Sequence, residues 1–372
     1  MRWIKRLFLL LLIVAVAAGV HFYRDYQRFA DTPLTLDKHE HVLEVKLGTS
    51  FRSIVRKIKS ETGNTAPWWY WRVLAHEMGV LDGLHAGEYA LTQIVTPRVL
   101  LRRMADGDVI HHQFTIIEGW RFKELRLALA KEDRLEQTLG GLSDADVMAR
   151  VGAEGVHPEG RFLPETYSFV RGQKDVDVLK RAYKAMQTQL AKRWAERDPQ
   201  LPLGSPDELL TLASIVEKET GQAAERPRIA GVFVRRLKMP MMLQTDPTVI
   251  YGLGDSFNGN LTRKHLETDT PYNTYTRVGL PPTPIAMPGR AALQAAVNPA
   301  PGDALFFVSR NDGSHVFSAT YAEHNRAVDC YQRRRGCPPG QQALPAQAAA
   351  SPAGQDPGQD PAQGPAQDPG PR

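Results

Sequence analysis

An α+β fold is expected from three observations. Helical spacing of apolar residues recurs over residues 144–150, 176–197, 209–220 and 227–238. Short alternating segments such as His41-Val-Leu-Glu-Val-Lys-Leu47 are interspersed with these helices, as strands in a mixed protein are. The two ends, an uncharged apolar run and a tail of Pro, Ala, Gln, Gly and Asp, differ in composition from everything between them. The expected architecture is an N-terminal transmembrane helix over 1–25, a small α/β subdomain with its connections over 26–115, a larger α+β domain over 116–337 and a disordered tail over 338–372.

The N-terminus begins Met1-Arg-Trp-Ile-Lys-Arg6, runs through Leu7 to Val20 without a charge, and meets Arg24 and Asp25 just beyond. Basic residues before an apolar run of this size mark a signal or an anchor with its basic end in the cytoplasm. From Trp3 to Tyr23 the run is near the short limit for crossing a bilayer. Ala15-Val-Ala17 imitates a cleavage site, so a removed signal peptide stays open as the alternative. On either reading the chain beyond about residue 25 lies outside the cytoplasm. That placement suits Cys330 and Cys337 as a disulfide closing a small loop. Two thiols without further ligands nearby do not make a zinc site. The tail, with Gly-Gln-Asp-Pro repeated, has too little apolar surface to fold. Net charge is +5, and no Lys/Arg tract interleaved with aromatics occurs in the folded part, which excludes nucleic acid as a partner class.

The segment His41–Leu47 is followed by Gly48-Thr-Ser-Phe-Arg-Ser-Ile, a turn and cap that lead into an amphipathic helix to Ile58. The same order, strand then Gly then an aromatic opening a helix, recurs more loosely from Gln113 to Leu127. The first copy resembles the small sugar-binding module known as LysM. Trp68-Trp-Tyr-Trp71 has the aromatic density of a core, although sugars also stack on such rings. Gly155 to Val170, with Glu159-Gly-Arg-Phe-Leu-Pro-Glu-Thr-Tyr167, is expected to be mostly irregular and to form a cleft wall.

The most informative stretch is Leu209 to Thr220. At about 100° per residue, Leu212, Ile215, Val216 and Glu219 share one sector of a helix. Glu217 projects nearly opposite, beside Ser214, where a solvated or salt-bridged role is expected. A carboxyl on an apolar face is poorly hydrated when ionised, so its pKa rises. A protonated carboxyl near neutral pH is what general-acid cleavage of a glycosidic bond requires. The plainer alternative is a capped helix end whose Glu reaches back to water. Downstream, Pro247 disfavours helix at Asp246, which places Gln244, Thr245 and Asp246 on an extended loop. With Tyr272 and Asn273, these polar side chains suit sugar hydroxyl and acetamido groups. Gly279-Leu-Pro-Pro-Thr-Pro-Ile285 forms a stiff turn, and Ala304–Ser309 a strand facing His315 and Phe317.

Ala213-Ser-Ile-Val-Glu-Lys-Glu-Thr220, Leu243-Gln-Thr-Asp-Pro-Thr-Val-Ile-Tyr-Gly252, Tyr272-Asn-Thr-Tyr275, Gly279-Leu-Pro-Pro282 and His324-Asn325 together resemble the endolytic murein transglycosylase family. The resemblance covers roughly residues 40 to 330, with the motifs in family order. The cysteine pair and the tail are outside the family pattern. The resemblance implies cleavage between N-acetylmuramic acid (MurNAc) and N-acetylglucosamine (GlcNAc) inside peptidoglycan strands, leaving 1,6-anhydro ends, with Glu219 as the catalytic glutamate. It also implies a single-pass protein of the bacterial inner membrane with a periplasmic catalytic domain. Cell-wall synthases (penicillin-binding proteins) are implied as partners, with no cofactor or metal. Two alternatives remain at this level: a hydrolase using Asp246 as second carboxylate, and a non-catalytic wall-binding scaffold. An esterase built on Gly254-Asp-Ser256 lacks the strand–turn–helix setting such a serine needs.

Overall fold

The computed structural model describes residues 2–35, 40–46, 48–92 and 94–337. The tail expected over 338–372, and His39 of the polar His39-Glu-His41 stretch, lie outside the described residues. Helix α1 (Arg2–Asp31) contains a long, strongly apolar segment that no other part of the chain buries. Its length and composition are those of a membrane span. The helix continues past the expected boundary at residue 25 because its last turns bury an apolar face: Tyr26 and Ala30, and then Leu34, pack into the first core.

That core belongs to β1 (Glu40–Val45), α2 (Phe51–Thr62), α3 (Trp68–Glu77), β2 (Gly87–Thr92) and α4 (Pro97–Asp106). The strands pair antiparallel with Leu43 opposite Tyr89. Ser50 caps α2 by accepting from the Ser53 N–H, and Gly63 ends it at φ 62°, a left-handed conformation that glycine adopts without a Cβ clash. The aromatic cluster expected in the core is divided. Tyr70 and Trp71 are buried, whereas Trp68 and Trp69 are each 38 % exposed. Helical periodicity explains the division, since Tyr70, Trp71, Leu74 and Ala75 share the inward face of α3.

The second layer comprises β3 (His112–Thr115), α5 (Phe122–Lys131), α6 (Asp144–Val151), β4 (Thr166–Phe169) and α7 (Asp175–Ala195). The stretch expected to be irregular to Val170 ends instead in β4, which pairs antiparallel with β3 and buries alternate residues Tyr167 and Phe169. Its partner strand lies fifty residues upstream, beyond the reach of a local pattern. Glu88 on β2 joins the two layers, meeting His112 Nε2 at 2.5 Å and Arg171 Nε at 2.5 Å.

The third part holds α8 (Pro206–Glu219), α9 (Arg226–Lys238), α10 (Asp246–Leu253), α11 (Arg263–Glu267), α12 (Arg290–Val297), β5 (Phe306–Ser309), β6 (His315–Ser318) and α13 (Tyr321–Tyr331). Helix α8 lies at its centre, packed against α7, α9, α10 and α12. Every residue from Leu209 to Val216 is buried. Helix α9 runs close to the chain ahead of β5: a Cβ on Gly231 would lie 2.5 Å from the Ala300 carbonyl oxygen. Strands β5 and β6 form a hairpin on which α13 rests, and Cys330 and Cys337 are disulfide-bonded, as expected.

Trp71 fills the centre of the first core with no exposed surface. Its replacement by Ala is expected to cost about 3–5 kcal/mol, measurable as a lower denaturant midpoint by near-UV circular dichroism.

Candidate active site

Helix α8 begins where local chemistry dictates. Ser205 accepts from the Glu208 N–H, Pro206 occupies the first turn, and Asp207 and Glu208 lie at the positive end of the helix dipole. The opposite end carries Glu217, Lys218 and Glu219 before Thr220 leaves the helix in an extended conformation.

Glu219 is of intermediate exposure and shares its face with the buried Leu212, Ile215 and Val216, as its helical position predicts. Its carboxyl accepts a short hydrogen bond from the Thr245 hydroxyl. Burial pushes its pKa up to about 7; the Thr245 bond opposes the shift, nearby Asp246 adds to it, and Arg236 opposes it. The carboxyl therefore stands close to the midpoint between acid and base at neutral pH.

Thr245 is in place because several bonds hold its loop. The Gln244 N–H donates to the Thr274 carbonyl at 3.0 Å, and the Thr245 N–H donates to Thr274 Oγ1 at 3.1 Å. Thr248 Oγ1 meets Thr274 Oγ1 at 2.9 Å. Gln244 takes φ 51°, a left-handed conformation that the surrounding bonds sustain. Asp246 does not lie on an extended loop. It opens α10, with Thr245 as N-cap and Pro247 in the first turn. A missing N–H costs nothing at a helix start, so the proline initiates a helix instead of preventing one. The Tyr275 hydroxyl donates to Asp246 Oδ1 at 2.6 Å, and burial followed by that bond raises the Tyr275 pKa. Arg236 passes beneath, donating to the carbonyls of Leu305, Leu243 and Met242 at 2.7, 2.8 and 3.1 Å.

The structure thus brings Glu219, Thr245 and Asp246 together, with Gln244 beside them. Tyr272 lies on the adjoining loop, its hydroxyl 2.8 Å from Thr283 Oγ1 and its ring 4.9 Å from that of Tyr251. Asn273 is buried and occupied: its amide donates to the carbonyls of His265, Leu266 and Thr268, and its oxygen accepts from the Tyr275 N–H.

Glu217 takes the salt-bridged of the two roles expected for it, not the solvated one. It accepts from the Gly289 N–H at 2.9 Å and lies 3.5 Å from Arg226 Nη2. Burial raises its pKa, and Glu118 adds to the shift. The segment before α12 covers this side of α8, with the Glu118 side chain close against Gly289, where a Cβ would lie 1.8 Å from Glu118 Oε1 unless that side chain turned away. A further acid, Glu159, is buried, accepts from the Phe122 N–H at 3.0 Å and is also pushed up to about 7 by burial. It lines a cleft of about 610 Å³ with Arg121, His157 and Tyr251. Its stretch stands out in the sequence as a candidate cleft wall, but nothing local singles out the acid. Thr248, Thr274 and Tyr275 lie in the family-like motifs without a role being assigned to them there, and Arg236 has no distinguishing sequence signal as a site-builder. Among the described residues no group of His, Cys, Asp and Glu is arranged to hold a metal ion.

Residues 43–330 match the YceG-like family. The chain is 33 % identical over 268 residues to an endolytic murein transglycosylase of Bacillus subtilis (strain 168), covering 67 % of this chain and 74 % of that protein. It is 31 % identical over 176 residues to an endolytic murein transglycosylase of Streptococcus pneumoniae, covering 46 % of this chain but only 31 % of that longer protein. A crystal structure of a YceG-like protein from Listeria monocytogenes superposes with a TM-score of 0.50 at 27 % identity, covering 78 % of this chain and all of the other. With most of its length matched, including α8 and the loop that meets it, the chain belongs to the YceG-like family.

Proposed function

We infer that the protein is an endolytic peptidoglycan lytic transglycosylase, cutting the MurNAc–GlcNAc bond within glycan strands with formation of 1,6-anhydro-MurNAc ends. The single observation that carries the catalytic assignment is the Glu219 carboxyl, buried against an apolar helix face and bonded to Thr245, with its pKa near 7. As an acid it protonates the leaving glycosidic oxygen. As the resulting carboxylate it accepts the proton of the muramic C6 hydroxyl while that oxygen attacks its own anomeric carbon. The nucleophile belongs to the substrate, so its effective concentration is high and no second catalytic carboxylate is needed. Asp246, engaged by Tyr275, acts through its charge by holding up the Glu219 pKa, which favours this reading over a hydrolase with Asp246 as base.

Gln244, Thr245, Asp246 and Tyr272 form the sugar-binding set in this proposal, and Asn273 serves it by holding the loop that carries Tyr272 and Tyr275. We assign residues 1–25 to the cytoplasmic stub and anchor, 26–115 to a LysM-like unit and its connections, and 116–337 to the catalytic domain. The strand–helix–helix–strand order from β1 to β2 supports the LysM-like reading. The apolar, unburied α1 supports insertion in the bacterial inner membrane, with the catalytic domain on the periplasmic side and cell-wall synthases within reach.

Glu219→Gln is expected to lower strand cleavage by about 10²–10⁴-fold, read by mass analysis of the ends released from purified glycan. Wild-type products ending in reducing muramic acid instead of the anhydro sugar contradict the transglycosylase mechanism. Cleavage by the wild type is expected to fall as pH rises through about 7, where the acid form of Glu219 is lost. Stability gives an independent measure. Because the folded-state pKa lies above 4.5, the folded protein holds this proton more tightly than the unfolded chain, so the Glu219 contribution to stability declines from pH 4.5 to about 7 and is constant above. Glu219→Gln is therefore expected to raise the denaturation midpoint more at pH 8 than at pH 5.

A further inference from the structure

The outer turns of α1 are fixed to the first folded unit by bonds from several sides. Tyr26 donates its hydroxyl to Glu77, and the Tyr70 hydroxyl donates to Asp25 Oδ2 at 2.9 Å. Arg98 binds Asp31 at 2.9 Å and Glu77 at 3.2 Å. One turn earlier, the Phe22 ring stacks on that of Trp69, with centroids 5.3 Å apart and planes 13° from parallel. The height of Trp69 along the α1 axis is therefore set by Phe22.

That height follows from length. Trp3 to Tyr23 is about 31 Å at 1.5 Å per residue, just enough for a hydrocarbon layer of about 30 Å. No apolar residue in the run is spare, so Phe22 and Tyr23 lie at the outer boundary of the bilayer, and Trp69 is carried there with them. The neighbouring surface has the composition of a lipid interface. Trp68 and Trp69 are 38 % exposed and Val73 44 %. The Arg52 and Arg72 guanidinium groups lie 5.5 and 5.9 Å from the Trp68 ring. Both arginines are exposed, and among the described residues neither is in an ion pair with a carboxylate.

We propose that the Pro67–Trp69 start of α3, with Val73, Arg52 and Arg72, is a foot seated in the headgroup layer of the bilayer that α1 crosses, its two arginines taking the phosphates of anionic phospholipids. The proposal rests on α1 being a spanning anchor. Continuity with that anchor favours lipid over a glycan as the occupant of these rings.

The test uses the full chain reconstituted in phosphatidylglycerol/phosphatidylcholine vesicles containing phosphatidylcholine brominated either near the headgroup or deep in the acyl chain. Emission lost on Trp68→Phe/Trp69→Phe isolates the foot, and emission lost on Trp3→Phe reports the anchor separately. The foot signal is expected to be quenched at least about twofold by shallow bromine and much less by deep bromine, and Arg52→Glu/Arg72→Glu is expected to weaken that quenching. A foot signal unchanged by bromine while Trp3 is quenched overturns the foot and leaves the anchor standing. If neither is quenched, the anchor reading fails and the foot with it. A foot signal altered by soluble glycan strands but not by bromine makes these rings a sugar platform and overturns the lipid assignment.

Discussion

The Glu219 carboxyl is held by two opposed demands, and the catalytic half of the molecule is arranged around them. Burial on the apolar face of α8 favours its proton, while the Thr245 hydroxyl and the more distant charge of Arg236 favour its loss. Burial prevails only in part, leaving the pKa near 7, so one side chain can give and take the same proton without a change of surroundings. The balance requires a rigid frame. Thr274 holds the loop before α10 from one side, the Arg236 guanidinium gathers three carbonyls from the other, and the core around Leu209–Val216 keeps α8 from shifting. Movement of Thr245 by one ångström would remove the bond and leave only the more distant charge of Arg236 opposing burial.

Three acids in this region are displaced upward by burial, and only one is proposed to be catalytic. Glu217 is enclosed by the Gly289 N–H and Arg226, and Glu159 by the Phe122 N–H. A raised carboxyl pKa therefore does not by itself select the functional group. Selection comes from position: Glu219 alone among the three meets the Gln244–Asp246 loop, through its bond to Thr245.

What the sequence revealed and what it concealed divide along the range of the interactions. Glu219 could be placed from its neighbours at 212, 215 and 216, because helical periodicity is a local property. The strands at 41 and 304 and the helices at 176 and 227 were legible for the same reason. The enclosure of Glu217 was hidden because it comes in part from Gly289, 72 residues away. β4 was concealed because its partner strand is similarly distant. Asp246 was read through the restriction that proline places on the preceding residue, when the stronger fact was that proline suits a helix start. The hydroxyls of Thr248 and Thr274 bond each other and the Thr245 backbone, a network that no composition or period announces. The anchor was bounded at residue 25 because Arg24 and Asp25 end the apolar run, although Tyr26 and Ala30 stand one helical turn apart on the face that enters the first core.

Between Val20 and Asp31, α1 contains neither Gly nor Pro, and its last turns are built into the first core. A flexible tether lets an active site sweep a volume whose size depends on linker length. Here there is no such volume. If α1 spans the membrane, the active site travels with it at a standoff fixed by packing, free to diffuse laterally and to rotate about the membrane normal but not to rise. The glycan it meets is then selected by distance from the bilayer and not by the reach of a linker.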